Sequence, residues 1–180
     1  MAAWGPIVEA MSTTESIVTG ERADLLETLA KHRGFLRYTV RDLTDAQAGL
    51  RPTASSLCLG GLIKHVATTE EGWMRFVIDG PQGMSGGNDG EWTDTFAWGE
   101  NDTLGAALER YAAVEARTTE IVRGLADLGA SQPLPEAPWF EPGARWSARR
   151  VLLHLIAETA QHAGHADIIR ETIDGAKTMG

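Results

Sequence analysis

Four side chains that can bind a metal or carry a proton fall on one stripe of a predicted helix near the C-terminus: His154, Glu158, His162 and His165. Residues 146–170 contain no proline and a single glycine, so they predict one continuous helix. At ~100° per residue the four side chains share a narrow arc, which apolar residues extend in both directions. Because buried ionisable groups are costly unless they are paired or bound to a metal, the stripe predicts a functional site.

Glu158 and His162 have the spacing that two metal ligands on one helix require. They lie four residues apart, so their side chains are one turn apart and can converge on one ion. A third ligand must come from another element, and the best candidate is His65 in the second predicted helix. One carboxylate and two imidazoles suit zinc, with nickel and iron as alternatives, and leave a position for water or substrate. The competing interpretation is a set of core histidines, each of which needs its own buried hydrogen-bond partner.

The composition restricts the classes of partner. Lys and Arg together number 16 and Asp and Glu 25, which gives a net charge of −9. Nucleic acids and anionic membranes favour a basic surface, so we expect neither as a partner. No apolar run approaches the ~20 residues that span a bilayer. Residues 1–19 lack the features of a secretory signal and are interpreted as a ragged leader, with disorder as one alternative.

The single cysteine, Cys58, allows no disulfide within the chain and fits a reducing cytoplasm. It precedes His65 by seven residues, which is ~10 Å along a helix. We therefore interpret Cys58 as a small buried side chain and not as a ligand of the same ion.

Apolar residues that recur every three or four positions predict four helices, at about residues 21–43, 57–78, 104–128 and 147–174. Thr103 and Ser147 are the predicted N-caps of the last two, and Gly129 is the predicted end of the third. With almost no strand pattern, residues 20–180 predict an all-α fold, a four-helix bundle. A short link after the first helix and a long crossover between the second and third favour an up-down-down-up order.

The crossover, residues 79–102, is rich in Gly, Asp and Asn and carries Trp92, Phe96 and Trp98. Loops of this length in small domains are usually functional or serve as crossovers. Its aromatic side chains either pin the loop onto the helices or form the roof of a pocket. The aromatic candidates to line such a cleft are Trp73, Trp92 and Trp139.

Two stretches, LGGLIKHVATTEEGWM and RWSARRVLLHLIAETAQHAGHADIIRE, resemble the DinB-like superfamily, in particular its branch in mycothiol-using actinobacteria. The resemblance implies a divalent metal held by one histidine of the second helix and an (H/E)xxxH pair of the fourth. These positions fall on His65, Glu158 and His162, in the Glu form that is similar to mycothiol-dependent maleylpyruvate isomerase. His165 matches a histidine that hydrogen-bonds to or replaces a ligand, and for His154 we expect a role as a hydrogen-bonding neighbour or in helix packing.

The resemblance also implies a reaction class, a small-thiol S-transferase or isomerase in which the metal activates mycothiol or another low-molecular-weight thiol. The partner would be a small-molecule electrophile, and a homodimer stays open. Two alternatives remain, a metal-dependent hydrolase and a non-catalytic helical bundle with a structural metal, since the fold does not determine the chemistry. A structural site would be closed by a fourth protein ligand, for which His165 is the candidate.

Overall fold

The computed structural model describes residues 19–84 and 94–178 of the chain. The described part is mostly helical, as predicted, and no helix in it is long and apolar enough to cross a membrane. Its helices are α1 (Glu21–Thr39), α2 (Asp45–Ala48), α3 (Leu59–Asp79), α4 (Pro81–Met84), α5 (Leu104–Gly124) and α6 (Ala148–Asp174). A turn of 3₁₀ helix, Asp94–Phe96, precedes α5, and two short strands, β1 (Ser131–Pro133) and β2 (Arg145–Ser147), precede α6. Residues 1–18 of the predicted leader and Trp92 of the predicted cleft lie outside the described residues.

The predicted caps of the two C-terminal long helices are confirmed. The hydroxyl of Thr103 accepts the backbone N–H of Ala106 at the start of α5, and the hydroxyl of Ser147 accepts that of Arg150 at the start of α6. Each cap satisfies a helix N–H group that has no partner within the helix. At the other end of α6, Gly175 takes the left-handed conformation, with φ of 78°, that commonly ends a helix.

Three predicted boundaries were wrong. The first long helix ends at Thr39 and not at residue 43, and Asp42 just beyond it has a positive φ of 59°. The third ends four residues early, because Leu125 has an extended ψ of 131°, so Gly129 does not end it. The second begins at Leu59 and not at residue 57, and its N-cap is Cys58, with no side-chain hydrogen bond.

Strands β1 and β2 form a small antiparallel hairpin, with Gln132 opposite Trp146. The linker between them, residues 134–144, contains three prolines and no helix, because proline disrupts a helix interior. The hairpin holds Trp146 at the entrance of α6, where its ring stacks on Trp73 of α3 at a centroid distance of 4.7 Å. The linker therefore fixes the start of the helix that carries the metal-binding candidates.

The core consists of two clusters of buried apolar side chains, to which α3 and α6 both contribute. Helix α1 packs chiefly against α6, and α3 packs against α5 and α6. On α6, the residues up to Leu155 belong to one cluster and those from Ala163 onward to the other. Glu158 and His162 fall between them, so the polar candidates lie where the two apolar clusters meet.

The side chain of Arg170 on α6 is buried although it is charged. Its guanidinium Nη1 donates to the carbonyl oxygens of Thr39 and Arg41, each at 2.7 Å. Its Nε donates to Asp174 at 2.8 Å. Carbonyl groups at the end of a helix have no partner within it, so Arg170 satisfies the end of α1 from α6.

Candidate metal centre

The structure brings His65 of α3 together with Glu158 and His162 of α6. The Nε2 atom of His65 lies 3.1 Å from Oε1 of Glu158, and Nε2 of His162 lies 3.2 Å from the same oxygen. One ligand atom from each side chain lies within 4.8 Å of the other two. Two imidazole nitrogens and one carboxylate oxygen, drawn from two helices, therefore face a single point.

The surroundings of this cluster are mostly buried, and Glu158 is its most accessible member. The side chains of His65 and His162 are 9% and 11% exposed, whereas the side chain of Glu158 is 20% exposed. Hydrogen bonding to His162, then to His65, holds the pKa of Glu158 well below its usual range against the opposing effect of burial. Glu158 is therefore ionised at neutral pH, the state in which a carboxylate binds a cation.

The crossover supplies two contacts that orient the ring of His65. Its Nδ1 atom lies 3.0 Å from Oγ1 of Thr95, and the ring of Phe96 stacks on the imidazole at a centroid distance of 3.7 Å and an angle of 16°. A hydrogen bond to one ring nitrogen fixes the orientation and tautomer of the other, which is how proteins present histidine to a metal. Thr95 is a site residue that we did not predict from the sequence.

A pair of glycines on α3 lets the crossover lie directly against the helix. A Cβ atom at Gly60 would lie 2.3 Å from the ring of Trp98, and one at Gly61 would lie 2.2 Å from the carbonyl oxygen of Phe96. Any side chain at either position would push the crossover away from α3. The Gly-Gly pair four and five residues before His65 was the sequence signal for this close approach.

Lys64, the residue before His65 on α3, binds the crossover through its side chain. Its ammonium donates to the carbonyl oxygen of Ala97 at 2.9 Å and to Asp102 at 2.8 Å. The backbone N–H of Gly99 and then Lys64 hold the pKa of Asp102 below its usual value. Trp98 therefore pins the segment onto α3, as one prediction had it, and Phe96 covers His65; the roof of a pocket stays a prediction.

The remaining candidates of the α6 stripe lie beside the cluster and not in it. Nδ1 of His165 lies 3.4 Å from Nδ1 of His162, the ring nitrogen that faces away from Glu158. His154 lies edge-on to Trp73 and Trp146, at centroid distances of 5.0 and 5.3 Å. Burial lowers the pKa of His154, so it is a neutral packing residue at pH 7.

Cys58 and the two described residues that we predicted to line a cleft, Trp73 and Trp139, make their contacts elsewhere. Cys58 is buried at the start of α3, as predicted, and is not among the three side chains that converge. Trp73 is buried in the stack with Trp146. Trp139 is 64% exposed and pairs with Phe140. Of the described aromatic side chains that we named from the sequence, Phe96 is the one that covers the cluster.

A second buried polar cluster, which we call the arginine–glutamate network, was not predicted. Arg33 of α1 forms a bidentate ion pair with Glu70 of α3, and both side chains are 1% exposed. Thr118 of α5 donates to the same carboxylate at 2.5 Å. Arg37 and Glu115 pair at its edge, and Arg33 lies 3.6 Å from Glu115. The network joins three helices through complementary charges.

Comparisons with known proteins indicate the family and the fold of the chain. The family model described as Mycothiol-S-transferase matches residues 24–175. No curated protein matches the chain. Among solved structures, a conserved protein of a locus from Enterococcus faecalis aligns with a TM-score of 0.70 and 16% sequence identity, over 88% of this chain and 100% of that one. At that identity the structural similarity shows the fold alone.

Proposed function

The chain belongs to the mycothiol-S-transferase family, a DinB-like family, and we propose that it is a metal-dependent enzyme that transfers a small thiol to a small-molecule electrophile. The thiol is mycothiol or another low-molecular-weight thiol. The observation that carries the proposal is the convergence of the donor atoms of His65, Glu158 and His162 within 4.8 Å. Isomerisation assisted by the same thiol is the related reaction that the family resemblance allows.

The three side chains fit a divalent ion by the chemistry of their donors. Two imidazole nitrogens and one carboxylate oxygen are the ligand set of many catalytic zinc sites, and zinc is the ion that we favour over nickel and iron. Such an ion supplies positive charge that keeps a thiol sulfur deprotonated near neutral pH. With one carboxylate as the only anionic ligand, the site retains a net positive charge, which favours an anionic sulfur.

The protein residues have separate tasks in this proposal. His65, Glu158 and His162 hold the ion, while Thr95 and Phe96 orient His65 and cover it from the crossover side. Glu158 is the most accessible of the three, so the substrates approach from its side. The nucleophile comes from outside the chain, because the single cysteine, Cys58, is buried away from the ligand atoms.

With a chlorodinitrobenzene as electrophile, the reaction balances without an oxidant or reductant. The thiolate sulfur forms a bond to the ring carbon that carries chlorine, the carbon–chlorine bond breaks, and chloride leaves with its electron pair. The proton of the thiol passes to solvent. The protein binds and orients the two reactants and lowers the cost of forming the thiolate.

Two alternatives from other classes remain, a metal-dependent hydrolase and a non-catalytic bundle with a structural metal. Among the described residues, three side chains and not four converge, and His165 lies on the far nitrogen of His162. Structural zinc sites are closed by four protein ligands, so three donors favour an enzyme. A hydrolase would act on its substrate with no thiol present.

We also propose the up-down-down-up order of the long helices and a cytoplasmic location. A parallel return from α3 to α5 must cover the length of a 21-residue helix, which is ~30 Å. Residues 80–103 are long enough to span that distance. The cytoplasm is where small thiols are kept reduced. An experimental structure and cell fractionation test these two proposals.

The test begins with metal analysis of the purified full-length protein, followed by assay of chlorodinitrobenzene with and without mycothiol. We expect about one divalent ion per chain, turnover only with thiol, loss of turnover on chelation and recovery with added zinc. Metal binding without turnover of any thiol–electrophile pair would favour the structural alternative. Turnover of an ester or amide without thiol would favour the hydrolase. Absence of metal binding would contradict the proposal.

A further inference from the structure

A face of α6 to one side of the candidate ligands carries an uncharged strip, which we call the outer strip. Its residues are Leu153, Ala157, Ala160, Gln161, Gly164 and Ile168. Leu153 is 50% exposed and Ile168 is 62% exposed. Exposed apolar side chains that share one face mark interaction surfaces more often than isolated ones do. Between its two apolar ends the strip has no charged residue.

The outer strip is distinct from the faces of α6 that build the core. Around the helix axis, the outer strip lies roughly 100° from the stripe of histidines and Glu158. The contacts of α6 with α1 and α3 involve its buried residues, such as Leu155, Ala166 and Ile169. In the described part of the chain, a Cβ atom added at Gly164 meets nothing within 4 Å. The strip therefore has room for the close approach of another backbone.

We infer that the outer strip is the contact between two copies of this chain, with their α6 helices packed antiparallel about a two-fold axis. Its order of residues is self-complementary, as a symmetric interface requires. With the axis midway between Ala160 and Gln161, Leu153 faces Ile168 of the partner subunit. Ala157 then faces Gly164 of the partner subunit. The two-fold symmetry repeats each contact. Large apolar side chains therefore meet at the two ends of the interface, and small residues meet near the axis.

The charged residues that border the strip are complementary in the same arrangement. Arg150 lies just before the strip and Glu171 just after it, and both are exposed. The same axis places Arg150 opposite Glu171 of the partner subunit, again twice. A parallel pairing would instead bring like charges together at both ends, which is unfavourable. Charge order therefore selects the antiparallel orientation and a second copy as the occupant.

This interface leaves both metal centres accessible, because the outer strip and the ligand side chains occupy different faces of α6. A contact through one pair of helices is smaller than the ~1,600 Å² of a standard interface. The dimer should therefore dissociate on dilution in a measurable concentration range. Its test does not depend on the proposed enzymatic activity.

Sedimentation velocity of the full-length protein over a wide concentration range measures this association. We expect a monomer–dimer equilibrium in the wild type and a dissociation constant raised at least ~100-fold in the double variant Leu153→Glu/Ile168→Glu. Leu50→Glu is the matched control, since Leu50 is 48% exposed and lies outside α6, and it should leave association unchanged. Circular dichroism confirms that each variant is folded. A monomer at all concentrations, or equal effects of the two sets of substitutions, would overturn the inference.

Cysteine cross-linking tests the orientation separately, since the single native cysteine is buried. The double variant Ala157→Cys/Gly164→Cys should form a disulfide between subunits on mild oxidation, because these positions face each other across the interface. Ala157→Cys alone should not, since its two copies lie ~10 Å apart along the helices, beyond the reach of a disulfide. Cross-linking of the single variant would indicate a parallel pair and overturn the proposed arrangement.

A segment of the same chain is the other occupant to distinguish. Deletion of residues 1–18 should leave the dissociation constant unchanged if a second copy covers the strip. If the full-length chain is a monomer and the deletion variant dimerises through Leu153 and Ile168, the N-terminal segment covers the strip and the inference is wrong.

Discussion

The arginine–glutamate network and the candidate metal centre are two buried polar clusters that satisfy their charges in different ways. In the network, both carboxylate oxygens of Glu70 accept hydrogen bonds, from Arg33 and Thr118, and the arginines and glutamates balance. In the metal centre, two imidazole nitrogens approach the same oxygen, Oε1 of Glu158. The network contains permanent cations that match its anions, whereas the metal centre contains ligand atoms gathered around a point.

The difference separates a polar cluster that holds the fold together from one that we propose receives a cation. A buried ion pair stabilises a particular arrangement only while both partners are present. A group of ligands is completed by an ion, so its protein residues can be changed with less effect on the fold than on binding. The hydroxyl of Tyr111, near the arginine–glutamate network, is not part of its hydrogen bonds. It is buried without a partner in the described part of the chain, and burial raises its pKa.

The largest effect should come from Glu70→Ala, which would leave the guanidinium of Arg33 buried without its carboxylate. Breaking one side of a buried ion pair costs about 3–5 kcal/mol of unfolding free energy. Denaturant unfolding measures the loss. Glu158→Ala in metal-free protein is the comparison and should cost less, because its neighbours are imidazoles that can be neutral. The exposed Glu120→Ala should stay within about 0.5 kcal/mol of wild type. Equal costs for Glu70→Ala and Glu158→Ala would remove the distinction between the clusters.

Next in size is the effect of His162→Ala on metal affinity, with the fold retained. Loss of a residue that hydrogen-bonds to a metal ligand lowers metal affinity ~10–100-fold, and loss of a ligand itself should lower it further. Competition with a chromogenic zinc chelator measures the affinity, and metal-dependent turnover should disappear with it. His32→Ala, a half-buried histidine beside Phe35, is the control and should bind zinc as the wild type does. Retention of zinc by His162→Ala would contradict the proposed ligand set.

The two clusters also differ in how much of them could be predicted from the sequence. Glu158 and His162 share a helix at a spacing with a chemical meaning, and His65 was the best candidate in another predicted helix, at a position that the family resemblance also implied. Arg33 and Glu70 are 37 positions apart, and no local pattern pairs them. On α1 there was a sequence signal for burial, because Arg33 continues the buried stripe of Leu29.

The fold was predicted in its class and in its long helices, and the errors fall where local conformation decides. Leu125 continues the apolar pattern of α5, yet its extended backbone ends the helix, so periodicity alone placed the end too late. The contact between the crossover and His65 could not be predicted from periodicity either, since Thr95 and His65 are 30 positions apart in the sequence. Gly60 and Gly61 were visible, but a glycine pair indicates close approach without identifying what approaches.

A smaller effect on metal binding should come from Thr95→Val, which keeps the shape of the side chain and removes the hydroxyl beside Nδ1 of His65. We expect zinc affinity to fall ~10–100-fold, as for other residues that orient a metal-binding histidine. Thr95→Ser should restore most of it, and Thr172→Val, on the exposed part of α6, should have no effect. The ¹⁵N chemical shifts of His65 in metal-free protein report its tautomer independently of activity. Unchanged shifts and affinity in Thr95→Val would show that Thr95 does not orient the ligand.

The smallest effect should come from Cys58→Ser, and its size tests where the nucleophile originates. Cys58 occupies the N-cap of α3 with an extended backbone, φ −133° and ψ 160°, and makes no capping hydrogen bond. A serine hydroxyl there can accept a backbone N–H of the first turn, worth ~0.5–2 kcal/mol, and this offsets the ~1–3 kcal/mol cost of burying a hydroxyl. Stability should therefore change by no more than about 1 kcal/mol. Thiol-dependent turnover should be within about twofold of wild type, because the sulfur that reacts belongs to the added thiol. Loss of turnover in Cys58→Ser, with folding and zinc content intact, would show that the protein's own thiol reacts and that the external-thiol mechanism is wrong.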